Sequence, residues 1–275
     1  MLNWVTRDPP AMLVHYTGQR GLFGILESGE IWATKIDYLN DSSERIHGIQ
    51  EILTVIKRQV READLRLKDY ILDRVMEAPD RFGNTNVCVC SWTENPDDLG
   101  QWRAYGKGGQ GYALCFKGSD LARSAKYANF HLGPCIYLPQ QKYELIEKIT
   151  ARFIGELVIH ENDDAGTSEV LDRLLHVIPE IVPFLKDPSF HQEREWRMVS
   201  GPIDFSDDRF DVRDGPLCPI PYFRLNLATG GAGVQVNIIV GPGNLQALAA
   251  GALMMKKGKI RVQGVRQSPI PLRAI

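Results

Sequence analysis

The sequence predicts an α+β fold, with a mixed, mainly antiparallel central sheet flanked by helices. Two observations point there. Short apolar runs of strand character, such as "MLVHYT" and "GYALCF", are scattered among longer stretches with helical spacing, such as "QKYELIEKITARFIGELVIH". Their order is irregular, which argues against a doubly wound parallel sheet. The 275 residues, 44% hydrophobic and 24% charged, suffice for a full core. We read residues 1–275 as one domain with a helical insertion at about 140–185.

The elements follow in chain order. "MLVHYT" is a first strand, and "RGLFGILESG" is a short helix stopped by Gly29. "EIWATK" is a second strand. Asp41, with Glu44 three residues later, makes a capping box for a helix running to about Glu77, with a break near Asp64. "NTNVCVCSWT" is a strand, "DDLGQWRAYG" a short helix and "GYALCF" a strand. "HLGPCIYL" is a strand in which Pro134 implies an edge or a kink. Residues 140–185 hold two helices. "EREWRMVSG" alternates charged and apolar residues, so a half-buried strand is expected, with Glu193, Glu195 and Arg197 on one face. A strand "VQVNIIVGPG", a helix through "LQALAAGALMM" and a strand "KIRVQGV" close the chain.

A net charge of -2 gives no overall attraction to nucleic acid or anionic membrane. No apolar run approaches the roughly 20 residues of a membrane helix. The start "MLNWVTRDPPAML" lacks the pattern of a signal peptide, so a cytoplasmic protein is expected. The five cysteines read as free thiols, and Cys88 and Cys90 are too closely spaced for a zinc knuckle. No metal site is expected. There is no Gly-x-Ser-x-Gly elbow and no His-Glu-x-x-His. "VGPGN" lacks the ending of a phosphate loop.

Four clusters are candidates for chemistry, and each has a plain alternative. His15, Tyr16 and Thr17, with Thr34, suit contact with a ribose, or else His15 is a core histidine satisfied by backbone. Ser91, Trp102, Arg103 and Tyr105 suit a flat, phosphate-bearing ligand, or else the rings are core and Arg103 faces solvent. Glu193, Glu195 and Arg197 line a polar cleft or an exposed strand face. Asn40, Asp41 and Glu44 are explained by helix capping alone.

In this order, "HYTG", "GLFGILESGEIWAT", "YLNDSSE", "CSWTENPDDLGQWRAYG", "GQGYALCF", "FHQEREWRMV" and "IIVGP" resemble a bacterial family, domain of unknown function 2971. A more distant resemblance is to the ADP-ribosyltransferase fold, through DNA-modifying ADP-ribosyltransferase toxins and RNA 2'-phosphotransferases. It rests on a strand with His, an "IL..G" helix, a strand with Ser or Thr and a late strand carrying Glu. It implies a protein that uses NAD as substrate and transfers ADP-ribose to a macromolecule, nucleic acid or protein, in toxin action or phage defence. His15 would contact ribose, Trp102 or Tyr105 would stack on nicotinamide, and Glu195, with Glu193 as rival, would stabilise positive charge on ribose. The alternative is a non-catalytic module that senses a nucleotide or holds a protein partner.

Overall fold

The computed structural model describes residues 7–39, 42–63, 65–82, 85–228, 234–244 and 258–271. The expected cap at Asn40, Asp41 and the Glu44 side chain, and the expected helix over 245–255, lie outside the described residues.

The chain enters through β1 (Met12–Thr17), α1 (Gln19–Ser28) and β2 (Glu30–Lys35). Gly29 ends α1 at φ 72°, the left-handed conformation that a residue without Cβ adopts freely, and its N–H caps Ile25 O. Two helices follow, α2 (Ser42–Glu62) and α3 (Lys68–Phe82), so the expected break falls between Glu62 and Lys68. Then come β3 (Cys88–Thr93), α4 (Leu99–Ala104), β4 (Tyr112–Lys117), α5 (Gly118–Tyr127) and β5 (Phe130–Pro134). The long helices α6 (Pro139–Ile159) and α7 (Asp164–Ile181) precede β6 (Glu195–Ser200), β7 (Phe210–Arg213), β8 (Ile220–Asn226), β9 (Gln235–Val240) and β10 (Arg261–Gln267).

The ten strands among the described residues form one mixed sheet whose main path runs β10-β9-β4-β1-β3-β2-β8-β7. Only β9 and β10 are parallel; the other eight pairings are antiparallel. The sheet forks at β3. One edge of β3 carries β6 along its length, from Val89↔Val199 to Thr93↔Glu195. The other edge is shared: β1 joins at Val14↔Thr93, and β2 joins at Thr34↔Val89 and Lys35↔Cys88. Strand β5 pairs with β6 alone, so Pro134 sits at an edge as expected.

One sheet face packs Leu13, Trp92, Phe116, Trp196 and Met198 against Leu22 and Leu26 of α1 and Leu121 of α5. Helices α2, α3, α6 and α7 share a separate core of Ile52, Ile56, Val75, Phe153, Leu171 and Leu174. Thus the expected insertion completes a bundle that residues 42–82 begin. Ile36, Val87, Val89, Phe184 and Val199 join that bundle to the second sheet face. No described helix is long and apolar enough to cross a membrane.

Three features depart from the sequence reading. Strand β6 is buried at all six positions rather than half-buried, because β3 and β5 cover its edges and packed layers cover both faces. Glu193 lies outside β6, in a 3₁₀ turn over Pro188–Glu193. Helix α5 and strands β7 and β8 lie in stretches where no element was expected.

Candidate functional site

The fork creates the site. Beyond Val14↔Thr93, β1 leaves β3 and continues against β4. The His15 ring fills the gap, with Nδ1 3.0 Å from Ser91 O. A carbonyl only accepts, so Nδ1 carries the proton and Nε2 of the neutral ring is the remaining acceptor. Burial lowers the His15 pKa by more than the bond to Ser91 raises it, so burial favours that neutral form. The Tyr16 hydroxyl donates to Asn95 O at 2.9 Å and accepts from Asp98 N at 3.1 Å, fixing the loop before α4. The Asp98 side chain then caps α4 by accepting from Gln101 N.

A cavity of about 130 Å³ opens at the fork. His15, Tyr16, Ser91 and Thr93 line it from the strands, and Gln101 and Tyr105 from α4 and its C-terminal end. Lys186, Glu193, Glu195 and Arg197 close the other side. These four charged groups form a neutral cluster. Arg197 holds Glu195 through two bonds, Nε to Oε1 at 2.8 Å and Nη2 to Oε2 at 3.0 Å, while its Nη1 donates to Pro183 O at 2.6 Å. Lys186, 2% exposed, donates to Glu195 Oε2 at 2.7 Å and to Glu193 Oε2 at 2.5 Å.

The electrostatics follow from burial and pairing. Burial alone would push the Glu195 carboxyl up, but Arg197 and Lys186 outweigh it and hold the pKa down to about 2. Burial works against the Lys186 ammonium, yet Glu195 and Glu193 raise its pKa on balance. Arg194, at φ 43°, puts a left-handed kink between the two acids, and both carboxylates reach Lys186. The turn is tied to β3 by Thr93 Oγ1, which donates to Glu193 O at 2.6 Å. Tyr105 donates its hydroxyl to Glu193 Oε1 at 3.0 Å. Burial first, then the charge of Glu193, raises the Tyr105 pKa, so the phenol stays protonated.

Glu195 has both oxygens occupied by cations. Glu193, its side chain 20% exposed, is the more open of the two carboxylates.

The cavity gathers His15, Tyr16, Ser91, Tyr105, Glu193 and Glu195. Four other candidates lie elsewhere. The Trp102 ring is 0% exposed, edge-on to Tyr16 at 4.8 Å, with its N–H given to Asp97 Oδ1 at 2.8 Å. It is core, leaving Tyr105 as the ring at the cavity. Arg103 points to solvent on α4. Thr17 packs on α1, where a Cβ on Gly21 would lie 2.1 Å from its Oγ1. Thr34 accepts from Arg213 Nη2 at 3.2 Å on the other arm of the fork. Sequence reasoning missed Lys186, Gln101 and Leu39. Lys186 carried one signal: it is a lone cation directly after the apolar run "IVPFL".

A larger groove of about 810 Å³ runs between α2, α6 and the Pro188–Glu193 turn, and its polar groups include His47, Lys142 and Asp187. The small cavity is the better candidate because its acids, cations, imidazole and phenol converge through buried hydrogen bonds. No group of three or more His, Cys, Asp or Glu side chains among the described residues could hold a metal.

Residues 101–198 match the family described as "Protein of unknown function (DUF2971)". The matched segment covers 98 of the 275 residues. That segment brings Gln101, Tyr105, Lys186, Glu193, Glu195 and Arg197 to the cavity. His15 and Ser91 come from outside the DUF2971 match, on β1 and β3. No curated protein and no solved structure matches the chain.

Proposed function

We propose that the cavity binds the nicotinamide-ribose end of NAD and that the protein transfers ADP-ribose to a macromolecular acceptor. The observation that carries this is Glu193: a carboxylate open to the cavity, positioned by the Tyr105 hydroxyl and the Lys186 ammonium. About 130 Å³ suits one ring rather than a whole dinucleotide, since a cavity of roughly 150 Å³ holds benzene. The rest of the nucleotide would lie along the open mouth.

In this reading the ribose C1'–N bond breaks and its electron pair goes to the nicotinamide nitrogen. Positive charge develops at C1' and the ring oxygen, where the Glu193 carboxylate stabilises it. The acceptor's nucleophile then bonds to C1' and loses its proton to solvent water. Neutral His15 accepts a ribose hydroxyl at Nε2. Glu195 is the internal counter-ion of Arg197 and Lys186, which moves the reacting carboxylate two residues along the chain. Toxin action or phage defence remains the setting that the resemblance implies. Unpaired, largely buried cysteines suit a reducing compartment such as the cytoplasm.

One observation favours the rival reading, a non-catalytic nucleotide-sensing module: Glu195 is saturated by cations. The deciding experiment measures nicotinamide release from NAD, with DNA, RNA and protein acceptors present, beside calorimetric NAD binding. The transferase reading expects release by wild type, and a loss on the order of a hundredfold in Glu193→Gln with binding retained. Binding without release would leave the sensing module, and neither would remove both.

A further inference from the structure

We propose that Gln101 is the specificity residue of the cavity and that it reads the carboxamide of the ring bound there, selecting a primary amide over a carboxylate. Gln101 is 6% exposed and lines the cavity. It sits four residues before Tyr105, whose N–H donates to Gln101 O at 2.9 Å, so the two side chains share one face of a helical turn. The backbone that carries it is firmly held. Its own N–H donates to Asp98 Oδ1 at 2.9 Å, and Asp98 N in turn donates to the Tyr16 hydroxyl. The buried Trp102 ring next to it anchors α4 against Tyr16.

The side chain is spare where the backbone is not. Among the described residues the Gln101 carboxamide makes no hydrogen bond, yet neither its oxygen nor its nitrogen is sealed inside the protein. An amide without a partner is costly in a packed core, so one that is nine-tenths buried and opens toward a cavity marks a place for a ligand's polar group. The rest of the lining says what that group is. Lys186, Arg197, Glu193 and Glu195 balance one another, and Tyr105 donates to Glu193. Tyr16 and Thr93 donate to backbone oxygens. What remains is the His15 Nε2 acceptor, the Ser91 hydroxyl and the two-sided Gln101 amide, a complement for a neutral group that both donates and accepts. A carboxamide meets Gln101 head to tail, giving an N–H to Oε1 and taking one from Nε2. A carboxylate has no N–H for Oε1 and brings a negative charge beside Glu193, the more open acid.

The proposal rests on the reading of the cavity as the nicotinamide end of NAD, for binding but not for cleavage. The test titrates nicotinamide, benzamide, nicotinate and 3-acetylpyridine, without NAD, by calorimetry or ligand-observed NMR. Wild type should bind the two amides about tenfold or more tightly than the other two, since neither of those can donate to Gln101 Oε1. Gln101→Met should bind all four within about threefold of one another. Its urea midpoint should equal or exceed that of wild type, because the amide it removes has no partner in the protein. A merely structural glutamine would lower the midpoint and give wild type no preference for amides. Equal binding of nicotinate and nicotinamide by wild type, an unchanged preference in Gln101→Met, tighter binding of adenine or uracil than of nicotinamide, or no binding of nicotinamide up to about 10 mM would each overturn the proposal. Nicotinamide release from NAD is scored separately. Release without amide preference keeps the transferase and removes the role of Gln101, whereas amide preference without release keeps Gln101 and removes the transfer.

Discussion

Glu195→Gln should destabilise the fold before it reports on any chemistry. The amide keeps the shape of the carboxylate but leaves Arg197 and Lys186 buried, with Glu193 as the one acid of the former four-group cluster. Removing one partner of a buried ion pair commonly costs about 3–5 kcal/mol. The pKa gives a second route. A carboxyl at 4.5 in the unfolded chain and about 2 in the fold contributes roughly 3 kcal/mol, at 1.36 kcal/mol per pH unit. The folded value is the depressed one, so this stability is fully present above about pH 4.5 and is lost as pH falls toward 2. In urea, with a slope of about 3 kcal/mol/M, the neutral-pH midpoint should fall by about 1 M. The difference between wild type and variant should shrink between pH 4.5 and 3. The double variant Lys186→Met with Glu195→Gln should lose less than the sum of the single losses, because it removes one charge of each sign. A Glu195→Gln midpoint equal to wild type at pH 7, or a pH-independent difference, would refute the cluster as a coupled unit.

Trp102→Ala should cost about 3–5 kcal/mol through the cavity left beside Tyr16, seen by thermal or urea unfolding; a variant of normal stability that had lost only ligand affinity would show that the ring faces ligand. Gly29→Ala should lower stability by about 1 kcal/mol, since the helix must end at positive φ. Folded protein should expose one fast-reacting thiol, Cys218, because burial raises the pKa of Cys88, Cys90, Cys115 and Cys135. A thiol count after denaturation without reductant should give five, and a smaller number would mean that a disulfide had formed.

Local pattern carried most of the fold. The alternation in "MLVHYT" and "GYALCF" and the glycine after "RGLFGILES" state their elements within a few residues. What local pattern cannot state is pairing between distant segments. The burial of "EWRMVS" depends on β3, β5 and Lys186, which lie up to 112 residues away along the chain. A lone strand bearing Glu and Arg is usually exposed, and here the pair is buried together with a second pair, Lys186 and Glu193, that comes from outside the strand. Tyr105 and Trp102 illustrate the same limit. Three residues apart on one short segment, they look equally fit to stack on a ligand, and only the position of Tyr16 consigns Trp102 to the core.

The helical bundle has a consequence for how the protein is made. Its apolar faces belong to two hairpins, α2–α3 and α6–α7, with β3, β4 and β5 encoded between them. When Phe82 leaves the ribosome, Ile52, Ile56, Val60 and Val75 still lack the partners that α6 and α7 supply. Roughly 100 more residues must emerge before Ile181, which takes about 5–20 s at 5–20 residues per second. For that interval a sticky two-helix surface stands open in a crowded cell. The first hairpin is therefore the segment on which a chaperone has most reason to act, and where a truncated product would aggregate.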